Sequence, residues 1–439
     1  MKQKLQTLFD KSNIKQTLLN TAFILFLLSL LYKFTKLLFE TYDYESWAIT
    51  EYLVNFQGGF VRRGLLGEIL LFFVRNFNLN IEWTLKIVCL ISLVIVCVFF
   101  VKAFLKKGYS LYILPLCFFL GTHIAGYYWM KRDHLMFLFF IATFWVLNKI
   151  NKSIAKFLIV NILVVIALLI HESFAFFTLP FLFLLFFNEY KNKGILQSIA
   201  LSLVFLLPSI CVFLLTLHYH GDMKTAQTIW DSWVSVANLK PAELNESSHG
   251  ALSAIGWTAE GTFKMHLRAN FWHEDKGIVS VVFWSMIIPV VYYIVTNALL
   301  VFRKNENIFT NKDKTILSSV LIFQFVCLLP FFSILSCDLG RIIFYWVASS
   351  FVIFLLTPKD KIEKIFPPFL SKFVEQVNKG LTNILHPTKT TVILIMMFIG
   401  IPIAGFSLLD VVESSVAYHV LLILSKSLIA LKKIIFIFF

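Results

Sequence analysis

Two adjacent arginines, Arg62 and Arg63, follow the paired glycines Gly58 and Gly59 in the stretch "NFQGGFVRRGLLGEI". Guanidiniums present planar forks that match phosphate oxygens, and glycines let a backbone approach a ligand closely. The same segment also reads as an interfacial helix, "RRGLLGEILLFFVR", whose arginines meet lipid headgroups. Upstream, Asp43 and Glu45 in "TYDYESW" offer a general base or a ligand for a divalent cation; the plainer alternative is a pair of solvated loop carboxylates. Lys131, Arg132, Asp133 and His134 are consecutive in "YYWMKRDHL", and His171 adjoins Glu172 in "HESF". These groups mix hydrogen-bond donors with titratable side chains, the materials of anion binding and proton transfer. Ion pairs that lock helix ends would use the same residues. Asp338 and Arg341 in "CDLGRII" are spaced i, i+3, which also suits a salt bridge on one helical face.

What must position these islands is a membrane bundle. Of 439 residues, 59% are hydrophobic and only 15% charged, whereas soluble chains carry about 25% charge. The 39 Lys and Arg against 25 Asp and Glu reflect cytoplasmic loops that set orientation rather than nucleic-acid binding. The six cysteines, at 89, 97, 117, 211, 327 and 337, fall mostly inside apolar runs and read as small core residues. The lysine-bearing N-terminus precedes "AFILFLLSLLYKF" with no small-residue cleavage site after it, so it reads as a retained first span. Apolar runs follow near 84–105, 110–128, 134–150, 156–170, 174–188, 195–217, 279–302, 315–336, 341–357, 390–410 and 419–439. The expected fold is all-α: a single polytopic domain over 1–439 with about twelve spans.

Charge counting orients it. With the N-terminus cytoplasmic, about 25 of the 39 Lys and Arg fall in inside loops. The runs at 156–170 and 174–188 are read as a hairpin turning at "HES", because fusing them would move the basic 303–314 and 359–389 loops outside. All the polar islands then share the outer face, where charges default to function in the bundle interior or a water-filled cavity. The first outer loop, 40–83, carries the interfacial helix. The large outer loop, 218–278, contains His249, His266, Arg268, His273, Glu274 and Asp275 among Trp257 and Trp272, a mixture suited to sugar rings or to a membrane interface. Its spacing matches no metal motif. Residues 358–389 read as a cytoplasmic connector without chemistry.

A first span, an outer loop with the acidic "DYE", the interfacial "RRGLLGEILLFFVR" and many further spans resemble the integral-membrane GT-C glycosyltransferases. The length, the Phe-rich spans and the late outer loop also resemble bacterial O-antigen and capsule polymerases. The resemblance implies a GT-C-like enzyme of the bacterial inner membrane acting on a polyprenyl-(di)phosphate-linked sugar or glycan, among membrane lipids and polysaccharide assembly proteins. By position it gives the acidic role to Asp43 or Glu45, as base or metal ligand. Transfer chemistry asks for the same parts: cations on the leaving phosphate and a carboxylate for the acceptor proton. Arg62, Arg63, Arg132 and Arg341 are the phosphate-binding candidates, and Gly58, Gly59, Asp133, His134, His171, Glu172 and Asp338 the supporting ones. No cofactor is demanded beyond a possible divalent cation. The competing classes are a lipid-linked glycan flippase or other transporter, which would hold cations near mid-membrane, and a non-catalytic assembly scaffold. Convergence of Asp43, Arg63, Arg132, His171 and Arg341 is the observation that separates them.

Overall fold

The computed structural model describes residues 11–113, 127–271, 279–398 and, beyond them, 413, 415, 418, 421–422 and 424–429. The expected spans at 110–128, 390–410 and 419–439 lie wholly or partly outside these residues, as do Cys117, Trp272, His273, Glu274 and Asp275. The described helices are α1 (Lys11–Phe39), α2 (Trp47–Leu53), α3 (Gly64–Phe77), α4 (Ile81–Lys106), α5 (Asp133–Lys149), α6 (Ser153–Ile170), α7 (Phe174–Tyr190), α8 (Ile195–His218), α9 (Met223–Ala237), α10 (Gly250–Ser253), α11 (Ala259–Phe271), α12 (Val279–Val301), α13 (Asn311–Ser333), α14 (Leu339–Leu356), α15 (Lys359–Ile365), α16 (Pro368–Leu385) and α17 (Lys389–Phe398). Among the described residues the protein is all-helical, with one isolated bridge between Tyr109 and Arg303.

Seven of these helices, α4, α6, α7, α8, α12, α13 and α14, are long and apolar enough to cross a membrane. At about 1.5 Å per residue, a helix of 18–26 residues reaches roughly 27–39 Å, against a hydrocarbon core of about 30 Å. Their outward faces carry Ile87, Ile91, Ile95, Ile154, Ile162, Val204 and Leu207, all exposed, the composition of a lipid-facing surface. The chain is a multi-pass membrane protein.

The two ends of the bundle differ in chemistry. At one end the Tyr109–Arg303 bridge and the Ser110 N–H to Phe302 O bond (2.8 Å) join the exits of α4 and α12. Lys107 and Lys359 both sit over the Phe354 ring (5.6 and 5.9 Å), and Lys312 pairs with Glu363 (2.8 Å). This lysine-rich end joins the 102–107, 303–314 and 359–389 loops. The stretch 358–389 lies there as α15 and α16, and α16 is tied to the bundle where Asn378 accepts from Tyr292 (3.1 Å) and donates to Ser318 (3.1 Å). All the described polar islands lie at the opposite end.

His171 breaks the 156–188 run: its backbone is extended (φ −161°, ψ 123°) between α6 and α7. Phe157 near the start of α6 and Phe186 near the end of α7 both pack on Phe205 of α8, at 5.3 and 3.8 Å. The two helices therefore double back as a hairpin. Asn161 fixes the register by donating to Phe205 O (2.9 Å) and accepting from Ser209 (2.7 Å).

α14 runs through the centre, buried from Leu339 to Phe354. Phe344 meets Phe137 of α5 at 5.1 Å, Tyr345 stacks on Phe177 of α7 at 5.4 Å, and Trp346 Nε1 donates to Leu321 O of α13 (2.7 Å). A second core lies at the charged end, where the segments that follow α1 and α8 fold against each other. Trp233 of α9 donates to Leu53 O of α2 (2.7 Å), Asn55 donates to Ser232 (3.0 Å), and the Ala251 N–H donates to Thr50 (3.0 Å). Residues 40–83 and the first part of 218–278 thus make one cap, built around Ile49, Leu53, Trp129, Trp230 and Trp233.

Candidate functional site

The cap holds α3 by glycine contacts. A Cβ on Gly67 would stand 1.9 Å from Val54 O, and one on Gly64 would stand 2.3 Å from the Phe56 ring. Glu68 completes the clasp, accepting from the Phe56 N–H and from Gln57 Nε2, each at 2.9 Å. The turn feeding α3 is consequently tight, and Arg63 at its N-cap adopts a left-handed backbone (φ 66°, ψ 10°). A non-glycine residue there costs about 1–3 kcal/mol, and such strain clusters at functional positions. Gly59 is also left-handed (φ +102°), whereas a Cβ on Gly58 would stand 2.9 Å from the carbonyl oxygen of Thr225 in α9. The close approach at Gly58 is to the protein's own α9.

The strained turn aims Arg63 inward. Its Nε donates to Glu172 Oε2 (2.8 Å) and its Nη2 to Glu172 Oε1, while Arg62 Nη1 reaches the same Oε1 at 3.5 Å. The arginines meet a carboxylate rather than headgroups alone, yet both stay partly exposed, at 29% and 25% of the side chain.

Behind them lies a fully buried tier. Arg132 donates to Glu51 Oε1 (3.0 Å), to the carbonyl of Ile170 (2.8 Å) and to that of Arg63 (3.2 Å), and its guanidinium lies 5.9 Å over the Tyr52 ring. Glu51 also takes Lys131 (2.9 Å) and Arg341 (3.1 Å). Arg341 grips Asp133 with both Nε and Nη2 at 2.7 Å, and Tyr345 donates to the same carboxylate. The expected Asp338–Arg341 contact is present at 3.6 Å, but the fork-to-fork partner is Asp133, 208 residues away. Five cations face three buried carboxylates, with Asp338 at the edge, so positive charge is in excess.

Electrostatics follow from this packing. Burial pushes the Glu51 carboxyl up, but Lys131, Arg341 and Arg132 together hold it well below the usual range. At Glu172 burial is likewise overcome, chiefly by Arg63. Burial lowers the His171 imidazole well below its ordinary value, and the Arg63 charge lowers it further. His171 Nδ1 accepts from the Ser173 N–H (3.2 Å), which puts the ring proton of the neutral form on Nε2. Burial lowers Arg62 as well, with Glu172 opposing.

The islands at Arg62–Arg63, Arg132–Asp133, His171–Glu172 and Arg341 converge, with His134 buried beside them against Phe344 (5.6 Å). Asp43 and Glu45 stand apart. Asp43 is exposed and accepts from the Glu45 N–H (3.1 Å), while Glu45 faces His249 at 3.8 Å. Among the described residues no three His, Cys, Asp or Glu side chains gather to hold a metal ion. Glu51 was missed from sequence, although a lone carboxylate inside the apolar "WAITEYLVNF" is the signal by which intramembrane function is found. Tyr345 gave no signal, since a tyrosine in a Phe-rich span reads as core. No protein-family model matches the chain, nor does any curated protein or solved structure.

Proposed function

We propose that this chain transfers or polymerises sugars from a polyprenyl-(di)phosphate-linked donor at the outer face of a bacterial inner membrane, in surface polysaccharide assembly. On this reading it has about twelve GT-C-like spans, its N-terminus and lysine-rich end are cytoplasmic, and the charged end is outside. One observation carries the proposal: Arg62 and Arg63, partly exposed, share a single carboxylate, so the excess positive charge of the cluster lies at its accessible front. Phosphate oxygens compete with Glu172 for those forks. As the sugar C1–O bond breaks, the electron pair passes to the phosphate and the guanidiniums stabilise it. A carboxylate of the first outer loop, Asp43 or Glu45, takes the acceptor proton.

The cations sit at helix ends rather than mid-span, which fits a membrane-surface transferase better than a carrier. The scaffold reading has its own support, because Asp133 is fully matched by Arg341 and Tyr345. In vitro transfer by the purified protein from a polyprenyl-diphosphate sugar decides between them. Charge-assisted bonds contribute about 1.5–3 kcal/mol each, so Arg63→Ala should lower transfer roughly ten- to a hundredfold, with Arg63→Lys restoring only part because the fork is lost. Normal transfer by the Arg62→Ala/Arg63→Ala protein at normal abundance would leave the arginines as structural locks. Absence of transfer by the wild type, with lipid-linked glycan crossing vesicles, would make the protein a carrier.

A further inference from the structure

Among the described residues outside the charged cluster, one buried histidine makes no hydrogen bond. His249, just before α10, is 2% exposed, and neither ring nitrogen makes a hydrogen bond. Its ring meets Trp230 edge-on at 4.4 Å. Its Nε2 stands 3.8 Å from Glu45 Oε1, just beyond hydrogen-bond reach, and the Glu45 side chain is half exposed. The unsatisfied imidazole therefore backs a carboxylate that is open to an incoming molecule.

Two indoles flank this pair. Trp47 and Trp257 form a corner, with centroids 6.0 Å apart and planes at 63°. Trp257 is held by its Nε1 bond to Glu246 O (2.8 Å), and Trp47 by Gly250, whose missing Cβ would lie 3.0 Å from the Trp47 nitrogen. Trp47 remains 40% exposed. The same ring also borders the cationic tier: Lys131 Nζ lies 5.5 Å over it while bonding Glu51 at 2.9 Å. One indole thus separates the aromatic corner from the charged cluster.

Indole faces beside an accessible carboxylate recognise a pyranose: ring C–H groups lie on the aromatic faces and a hydroxyl donates to the carboxylate. We infer that Trp47, Trp257 and Glu45 form the acceptor-sugar subsite, with His249 as a positioning residue behind Glu45. The inference rests on the sugar-transfer reading and chooses Glu45 over Asp43, whose carboxylate is turned to the Glu45 N–H. In the step, the acceptor hydroxyl oxygen bonds to the donor C1 and the C1–O bond to phosphate breaks. The leaving phosphate keeps the electron pair beside Arg62 and Arg63, and the hydroxyl proton passes to Glu45. His249 Nε2, closing its gap, donates to Glu45 and holds the carboxylate toward the acceptor.

The full chain in nanodiscs is probed by saturation-transfer NMR with methyl glycosides of common hexoses and N-acetylhexosamines, beside the transfer assay. Wild type and Arg63→Ala should both saturate the pyranose C–H protons of at least one probe, and Trp257→Ala should not. In transfer, Trp257→Ala should raise the acceptor KM about tenfold with kcat little changed, the size of a lost aromatic contact. His249→Ala should lower kcat roughly ten- to a hundredfold at unchanged KM, as misplacement of a reacting group does, and His249→Gln, whose amide can donate, should recover most of it. Failure of every probe to bind wild type, or unchanged binding by Trp257→Ala, overturns the subsite. Equal kcat in wild type and His249→Ala overturns the positioning role. A donor site that fails leaves sugar binding intact while Arg63→Ala transfers normally, so the two failures are distinguishable.

Discussion

His171 sits where acid should first be felt. Its folded-state affinity for a proton is depressed below the ordinary value of 6.5, so below about pH 6.5 the unfolded chain binds a proton that the folded chain refuses. Stability then falls as pH drops. Glu51 and Glu172 are depressed from 4.5; the stability they contribute is present above that value and is lost as pH falls further, through their folded-state values. Thermal unfolding in nanodiscs across pH 3–8 should therefore weaken in two stages, beginning near pH 6.5 and again below about pH 4.5. His171→Gln should shrink the first stage to the part that His266, also lowered by burial, contributes, and keep the second; an unchanged first stage would remove His171 from the account. At this scale most of the cluster was legible, because charged residues in an apolar chain announce themselves. Their partners were not. Nothing local says that Arg341 takes Asp133 rather than Asp338, since the choice is made by helices that meet only in the fold.

α3 shows how an element sets a residue's role. Its register against residues 52–56 is fixed by Gly64 and Gly67, and that register forces the left-handed turn pointing Arg63 inward. Gly67→Ala drives a Cβ into the Val54 carbonyl, a backbone atom with little freedom to yield, and should cost about 1–3 kcal/mol or more as overpacking does. Gly380, inside α16 with open space around it, gives the opposite sign: Gly380→Ala should stabilise by about 0.5–1 kcal/mol. Thermal melts of the two variants test this, and equal shifts would mean that α3 is not clasped. The hairpin at His171 was legible from charge counting. The cap was not, because Trp233 and Leu53 lie 180 residues apart and no periodicity in either loop names the other.

Across the whole molecule, the separation of a lysine-rich end from an ion-paired end makes orientation testable. In a cysteine-free background an impermeant thiol reagent added outside intact inner-membrane spheroplasts should label Glu246→Cys and not Lys312→Cys, both positions being exposed. The reverse pattern would invert the protein and put the charged cluster in the cytoplasm. The long sequence separations in that cluster also set a timetable for its birth. Glu51 must wait 81 residues for Arg132 and 290 for Arg341. At roughly 5–20 residues per second of synthesis, the second delay is on the order of 15–60 s. Asp133 is in place for the last 208 of those residues without its main partner. During that interval Glu51 has Lys131 and Arg132 while Asp133 waits for its fork partner, so the cluster closes only when α14 arrives.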